Sequence, residues 1–160
     1  MVTARQLPGG DDTIVALATA AGRGAIAVIR LSGARAIDIA RALGASGLQP
    51  RRATRVALRQ PNGEPLDDAL ITWFAAPRSY TGDEVVEIAT HGGHVVTTLV
   101  LAACVAAGAR PATPGEFTRR AVLNGRMDLV QAEAVADLID ARTTAMHRQA
   151  LSQLDGGLSR

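Results

Sequence analysis

The chain contains no lysine: all 17 basic residues among its 160 are arginine. That absence removes whole classes of chemistry, since neither a phosphate-loop lysine nor a Schiff-base or general-base lysine is available. Aromatic side chains are almost as scarce, with two phenylalanines, one tyrosine and one tryptophan, too few for a base-stacking platform. Cys104 is the sole cysteine, so no internal disulfide forms, in keeping with a reducing cytoplasm. The longest apolar run, 95–107, holds two threonines and falls short of the roughly 20 residues that span a bilayer. The N-terminus, MVTARQLPGGDD, lacks the apolar core of a secretory signal, and residues 1–11 read as a flexible lead-in. A net charge of +2 is too small to imply nucleic-acid binding by itself.

What is present is enough for a core. At 48% hydrophobic, a chain of this length buries roughly 70% of its unfolded surface. The densest set of structural instructions lies between Thr113 and Asp140. Thr113, Pro114 and Glu116 read as a helix N-cap, a first-turn proline and a capping-box carboxylate. Asn124-Gly125 stops that helix, and Asp128 with Gln131 opens another in the same way. Arg126 sits on the elbow between them.

Taken in order, 13–20 and 25–31 read as strands joined by the Gly22-Arg23-Gly24 turn. A helix over 34–43 ends at Gly44. Strands 54–59 and 66–74 form a hairpin about Pro61-Asn62-Gly63. A polar loop with Ser79, Tyr80, Thr81 and Gly82 precedes a strand over 84–90, and an apolar helix over 95–107 ends at Gly108. From Leu129 an apolar stripe at helical spacing continues to Leu154. It reads as one helix reaching Ser152, about 35 Å long. A stripe of that length calls for a second helix from another domain, another chain or further sequence beyond Arg160.

Several residues carry chemistry. Alternation places Arg30 at the end of an apolar strand row, and Glu87 between apolar neighbours on its own face, where a covered carboxylate requires a partner. Gly92 and Gly93 join a strand to a helix, so backbone can approach an anion or a flat ligand. His91 and His94 are three apart, but no cysteine or carboxylate set completes a metal site. Arg51, Arg52, Arg55 and Arg59 could follow a phosphate backbone or form a solvated strand face. No nucleophile or acid/base pair stands out, so no catalytic residue is assigned.

The segment PGEFTRRAVLNGRMDLVQAEAVADLIDA closely resembles the one that joins the N-terminal and helical domains in the tRNA modification GTPase family MnmE, or TrmE. DTIVALATAAGRGAIAVIRLSG and SYTGDEVVEIATHGG extend the likeness to nearly the whole chain from Asp12. The resemblance implies an α/β (α+β) fold: a small mixed-sheet, tetrahydrofolate-binding-like domain over 12–124, followed over 125–160 by the first segment of a helical domain. It further implies binding of 5-formyl-tetrahydrofolate as one-carbon donor and a homodimer through this domain. With the flavoprotein MnmG (GidA) as partner, the family modifies the 5-position of the wobble uridine of tRNA in the cytoplasm. GTP, Mg and K belong to a Ras-like GTPase domain outside these residues, so the chain itself is expected to hydrolyse no GTP. The family's folate contacts fall on Arg30, Glu87 and Arg126. The first two match in type, whereas lysine is expected at the Arg126 position; charge is kept, but a planar fork replaces a compact ammonium. Two alternatives stand beside this expectation: an interaction module with a vestigial folate pocket, and a direct tRNA-binding domain built on the arginine cluster.

Overall fold

In the computed structural model, residues 12–155 are described; the flexible N-terminus expected over 1–11 lies outside them. The described residues divide into two compact units, one made of 12–79 and 83–114, the other of 80–82 and 115–155.

The first unit is a six-stranded mixed sheet. Its strands are β1 (Ile14–Leu17), β2 (Ile26–Ser32), β3 (Thr54–Arg59), β4 (Pro65–Phe74), β5 (Val85–His91) and β6 (Arg110–Pro111), in the order β3-β4-β5-β2-β1-β6. All neighbours are antiparallel except β1 and β6. Two helices, α1 (Ala36–Ala42) and α2 (His94–Ala106), bury Ile39, Val100 and Cys104, and with them Leu43 at the C-cap of α1, in one core with Ile29, Leu31, Ile71, Val86 and Ile88 of the strands. Since successive strand residues point to opposite faces, both helices lie on the face bearing Ile29, Leu31, Val86 and Ile88. Arg30 and Glu87 therefore belong to the other face. The mixed-sheet α/β architecture expected from the sequence is the one observed.

The second unit contains α3 (Glu116–Leu123), α4 (Leu129–Asp140) and α5 (Thr144–Leu154). The capping box expected at Asp128 is present: Gln131 N donates to the Asp128 carboxylate at 2.8 Å, and Asp128 N donates to Gln131 Oε1 at 3.0 Å. The start of α3 differs from expectation, because its N-cap is Gly115 in the left-handed conformation rather than Thr113. Glu116 is buried beside Arg120; a carboxylate held by that cation is directed inward instead of back over the helix end.

The single long helix expected from Leu129 to Ser152 is instead two. Ala141 leaves helical geometry at φ −60°, ψ 120°, and Thr143 caps α5 by accepting a hydrogen bond from Met146 N. The apolar stripe runs across the break because its two halves serve each other. Ala134 of α4 and Ala150 of α5 are both buried, and Gln131 at the start of α4 donates to Leu154 O at the end of α5. The hairpin thus supplies within the chain part of the cover that the stripe requires.

Candidate functional site

Strands β2 and β5 pair antiparallel with Arg30 directly opposite Glu87. The register extends that row across four strands, from Ala16 on β1 through Arg30 and Glu87 to Thr72 on β4. Both Nε and Nη2 of Arg30 donate to one oxygen, Oε1 of Glu87, at 2.9 and 2.7 Å. The side chains are 27% and 29% exposed, so the pair is reachable from solvent without being fully hydrated. Glu87 Oε2 accepts no hydrogen bond from the described residues. The adjacent row, Val28, Ala89 and Leu70, is apolar, with Leu70 half exposed. An ion pair at the edge of an apolar floor is suited to a flat ligand bearing N–H donors on one side.

Gly92 and Gly93 follow Glu87 at the end of the same strand, and the structure separates their roles. Gly92 lies against the β1–β2 turn: its O accepts from Gly24 N, its N donates to Ala25 O, and a Cβ on Gly92 would stand 2.4 Å from Gly24 O. Close backbone packing, rather than access for a ligand, explains this glycine. Gly93 has no atom within 4 Å of the position its Cβ would take, so the space beside it is open.

Sequence reasoning missed the residue that holds this strand end. Asp67 on β4 accepts from His91 N at 2.8 Å and pairs with His91 Nδ1 at 2.7 Å. Burial alone would raise the Asp67 pKa, but the hydrogen bonds from His91, joined by one from the Asp68 backbone, together hold the carboxyl below its ordinary value. A signal was available. Alternation puts Asp67 in register with Ala69 and Ile71 of the core, and a carboxylate there needs a donor. The engagement of His91 with Asp67 also gives that histidine a role other than metal ligation.

Arg126 belongs to the second unit, on the turn after α3, where its N donates to Ala121 O. The loop residues 80–82 lie in the same unit. Tyr80 Oη bonds Thr118 Oγ1, Asn124 Nδ2 donates to Thr81 O, and a Cβ on Gly82 would meet Asn124 Cβ at 3.0 Å and Arg126 Cγ at 3.2 Å. Tyr80, Thr81 and Gly82, candidates for ligand contact from composition, thus brace the turn that carries Arg126. Ser79 is buried and donates to Asp83 O in the first unit. The structure therefore joins Arg30 to Glu87, sets Gly92 and Gly93 at the end of the same strand and places Arg126 on a separately packed turn.

The arginine cluster on and before the β3–β4 hairpin is engaged locally. Arg55 forks onto Asp68, Arg51 donates to Arg78 O and stands over the Phe74 ring, Arg52 bonds Gln49, and Arg59 donates to Gly63 O. These contacts favour the solvated-face reading over a phosphate track. Cys104 is buried in the core, and burial pushes its thiol up to about 12. Among the described residues no helix is long and apolar enough to cross a membrane.

Comparison with known proteins covers the same stretch. Residues 13–126 match the family described as GTP-binding protein TrmE N-terminus. The tRNA modification GTPase MnmE of Paramagnetospirillum magneticum is 56% identical over 150 residues, which is 93% of this chain and 34% of that protein. Its counterparts from Akkermansia muciniphila and Azoarcus sp. are 55% and 50% identical over 152 and 156 residues, covering 92% and 98% of this chain and 34% of each relative. The chain thus spans about a third of the length of the curated relatives it matches.

Proposed function

Because the chain belongs to the family of the GTP-binding protein TrmE N-terminus, we propose that it is the reduced-folate-binding, dimer-forming N-terminal module of a cytoplasmic tRNA-modifying GTPase. The observation that carries this is the Arg30–Glu87 pair, opposed across β2 and β5 on the sheet face turned away from α1 and α2. The residues fit the ligand's chemistry. The amino-pyrimidinone edge of a pterin offers adjacent N–H donors that a carboxylate accepts, and Glu87 has an oxygen with no other partner among the described residues. Arg30 and Arg126 are donors for a formyl oxygen or a tail carboxylate, and the apolar row beside Glu87 supports a flat ring.

When bound, 5-formyl-tetrahydrofolate supplies a unit at the one-carbon level. The chain's own residues bind and orient it and exclude water; they provide no nucleophile. Modification of the wobble uridine of tRNA then belongs to the longer protein acting with the flavoprotein MnmG (GidA). GTP, Mg and K are used by its GTPase domain, and the present chain turns over no GTP.

Titration calorimetry with 5-formyl-tetrahydrofolate tests the reading. Saturable heat for the folded protein, lost in Glu87→Ala, is expected; no heat, or heat that Glu87→Ala leaves intact, refutes it. A folded monomer in sedimentation at tens of micromolar refutes the dimer. A second reading, as a docking module, is favoured by one feature of the second unit. An apolar groove of about 550 Å³ runs between α3 and α4, lined by Val122, Leu123, Leu129, Val135 and Ile139. If that reading is correct, a charge at Leu129 abolishes partner capture while folate titration shows nothing.

A further inference from the structure

Glu87 has two cross-strand neighbours, and only one of them is a cation. Register places Thr72 of β4 directly across from it, as it places Arg30 of β2 on the other side. The three side chains of this row rise from one sheet face, with Cβ atoms of neighbouring strands about 4.5–5.5 Å apart. Thr72 is half-buried, and its hydroxyl makes no hydrogen bond with the described residues.

A ligand edge with two adjacent N–H donors asks for more than Glu87 has open. The two bonds from Arg30 fill the roughly two lone-pair positions of Oε1. Oε2 accepts no hydrogen bond from the described residues and takes one donor. The second donor, once pressed against the sheet and stripped of water, needs an acceptor of its own. The adjoining rows supply none: Val28, Ala89 and Leu70 on one side are apolar, and Ser32 on the other is fully buried. Thr72 remains.

We propose that Thr72 is the second acceptor of this site, and that with Glu87 it selects rings carrying an amino group beside a ring N–H. This rests on the folate reading above. The ring N–H donates to Glu87 Oε2, the 2-amino group donates to Thr72 Oγ1, and the Arg30–Glu87 pair stays as it is. A hydroxyl turns its own proton aside, so Oγ1 presents a lone pair without movement of the strand. Glu87 thus reads the ring, and Thr72 reads the amino group attached to it.

The test titrates wild type, Thr72→Val and Thr72→Ser with 5-formyl-tetrahydrofolate and with its 2-desamino analogue. Valine keeps the branched shape and loses the hydroxyl, whereas serine keeps the hydroxyl. Taking the amino group from the ligand or the hydroxyl from the protein removes the same bond. Each change alone is expected to weaken binding roughly tenfold, the equivalent of one hydrogen bond. Both together weaken it no further, and Thr72→Ser binds nearly as wild type does. Thermal melts confirm folding; if Thr72→Val is not folded, Thr72→Ala carries the same comparison. Equal weakening of both ligands makes Thr72 a structural residue and overturns the proposal. So does a variant that binds 5-formyl-tetrahydrofolate like wild type, or a desamino analogue that wild type binds as tightly as the parent or not at all. If wild type binds neither ligand, the folate reading fails, and the role of Thr72 with it. If wild type binds the cofactor and Glu87→Ala abolishes it, but the loss in Thr72→Val does not depend on the amino group, only the role of Thr72 fails.

Discussion

Replacing Gly92 by alanine tests the strand end next to the proposed cradle, and its cost follows from three atoms. The new Cβ would stand 2.4 Å from Gly24 O, 2.7 Å from Gly24 C and 3.1 Å from Ile26 C, all backbone. No side chain can rotate away, so β5 and the β1–β2 turn must separate. Separation strains the bonds from Gly24 N to Gly92 O and from Gly92 N to Ala25 O. Overpacking of this kind costs about 1–3 kcal/mol, and each lost hydrogen bond about 0.5–1.5 kcal/mol. Partial relaxation gives a total of about 2–4 kcal/mol, a large share of the roughly 5–15 kcal/mol typical of a domain. Urea unfolding followed by Trp73 fluorescence reads this as a fall in midpoint of about 1–2 M for a slope near 2 kcal/mol/M. Gly93→Ala is the matched control. Its Cβ meets nothing within 4 Å and its φ of −83° suits any residue, so a slightly poorer N-cap is offset by a stiffer unfolded chain and the change stays within about 1 kcal/mol. A Gly92→Ala midpoint within about 0.3 M of wild type refutes the packing argument.

Asp67→Ala removes the acceptor of two His91 bonds and is expected to cost about 1.5–3 kcal/mol in urea unfolding, the range for bonds to a charged group. Because the folded-state pKa of Asp67 is lowered, its stabilisation is complete above the ordinary carboxylate pKa and is lost as pH falls through and below about 4; acid titration of Asp67→Asn should show a shallower decline than wild type, and an identical decline would remove the linkage. Thr143→Ala deletes the cap of α5 and should cost about 1 kcal/mol, read as a drop in Tm; no drop would mean that packing of the helix pair alone sets the break after Asp140.

Legibility in the sequence follows the range of the forces involved. The strand Thr54–Arg59 and the Asp128–Gln131 capping box were read residue for residue, because alternation beside an Asn-Gly turn and a cap three residues from its partner are local signals. The two-residue strand β6 was invisible: Arg110 and Pro111 have no period of their own and pair only because β1 lies beside them. The break between α4 and α5 was hidden for a different reason. Ala141-Arg142-Thr143 contains neither glycine nor proline, and the stripe stays in phase across it, so only the packing of α5 back along α4 marks the end. At the site, each partner was flagged and the partnership was not. Arg30 and Glu87 each stood out as a charge among apolar neighbours, but 57 residues separate them, and nothing in either strand announces that β5 lies next to β2.

The absence of lysine has a structural counterpart in how the cations are used. Arg30 and Arg55 each place Nε and Nη2 on one carboxylate, and Arg110 directs Nε to Asp12 while Nη1 reaches Pro111 O. A single ammonium cannot reproduce that two-point geometry on strands whose register already fixes the spacing. The same argument bears on Arg126, where a lysine is expected. A guanidinium there offers an acceptor group a planar fork of donors where an ammonium would offer a compact point charge.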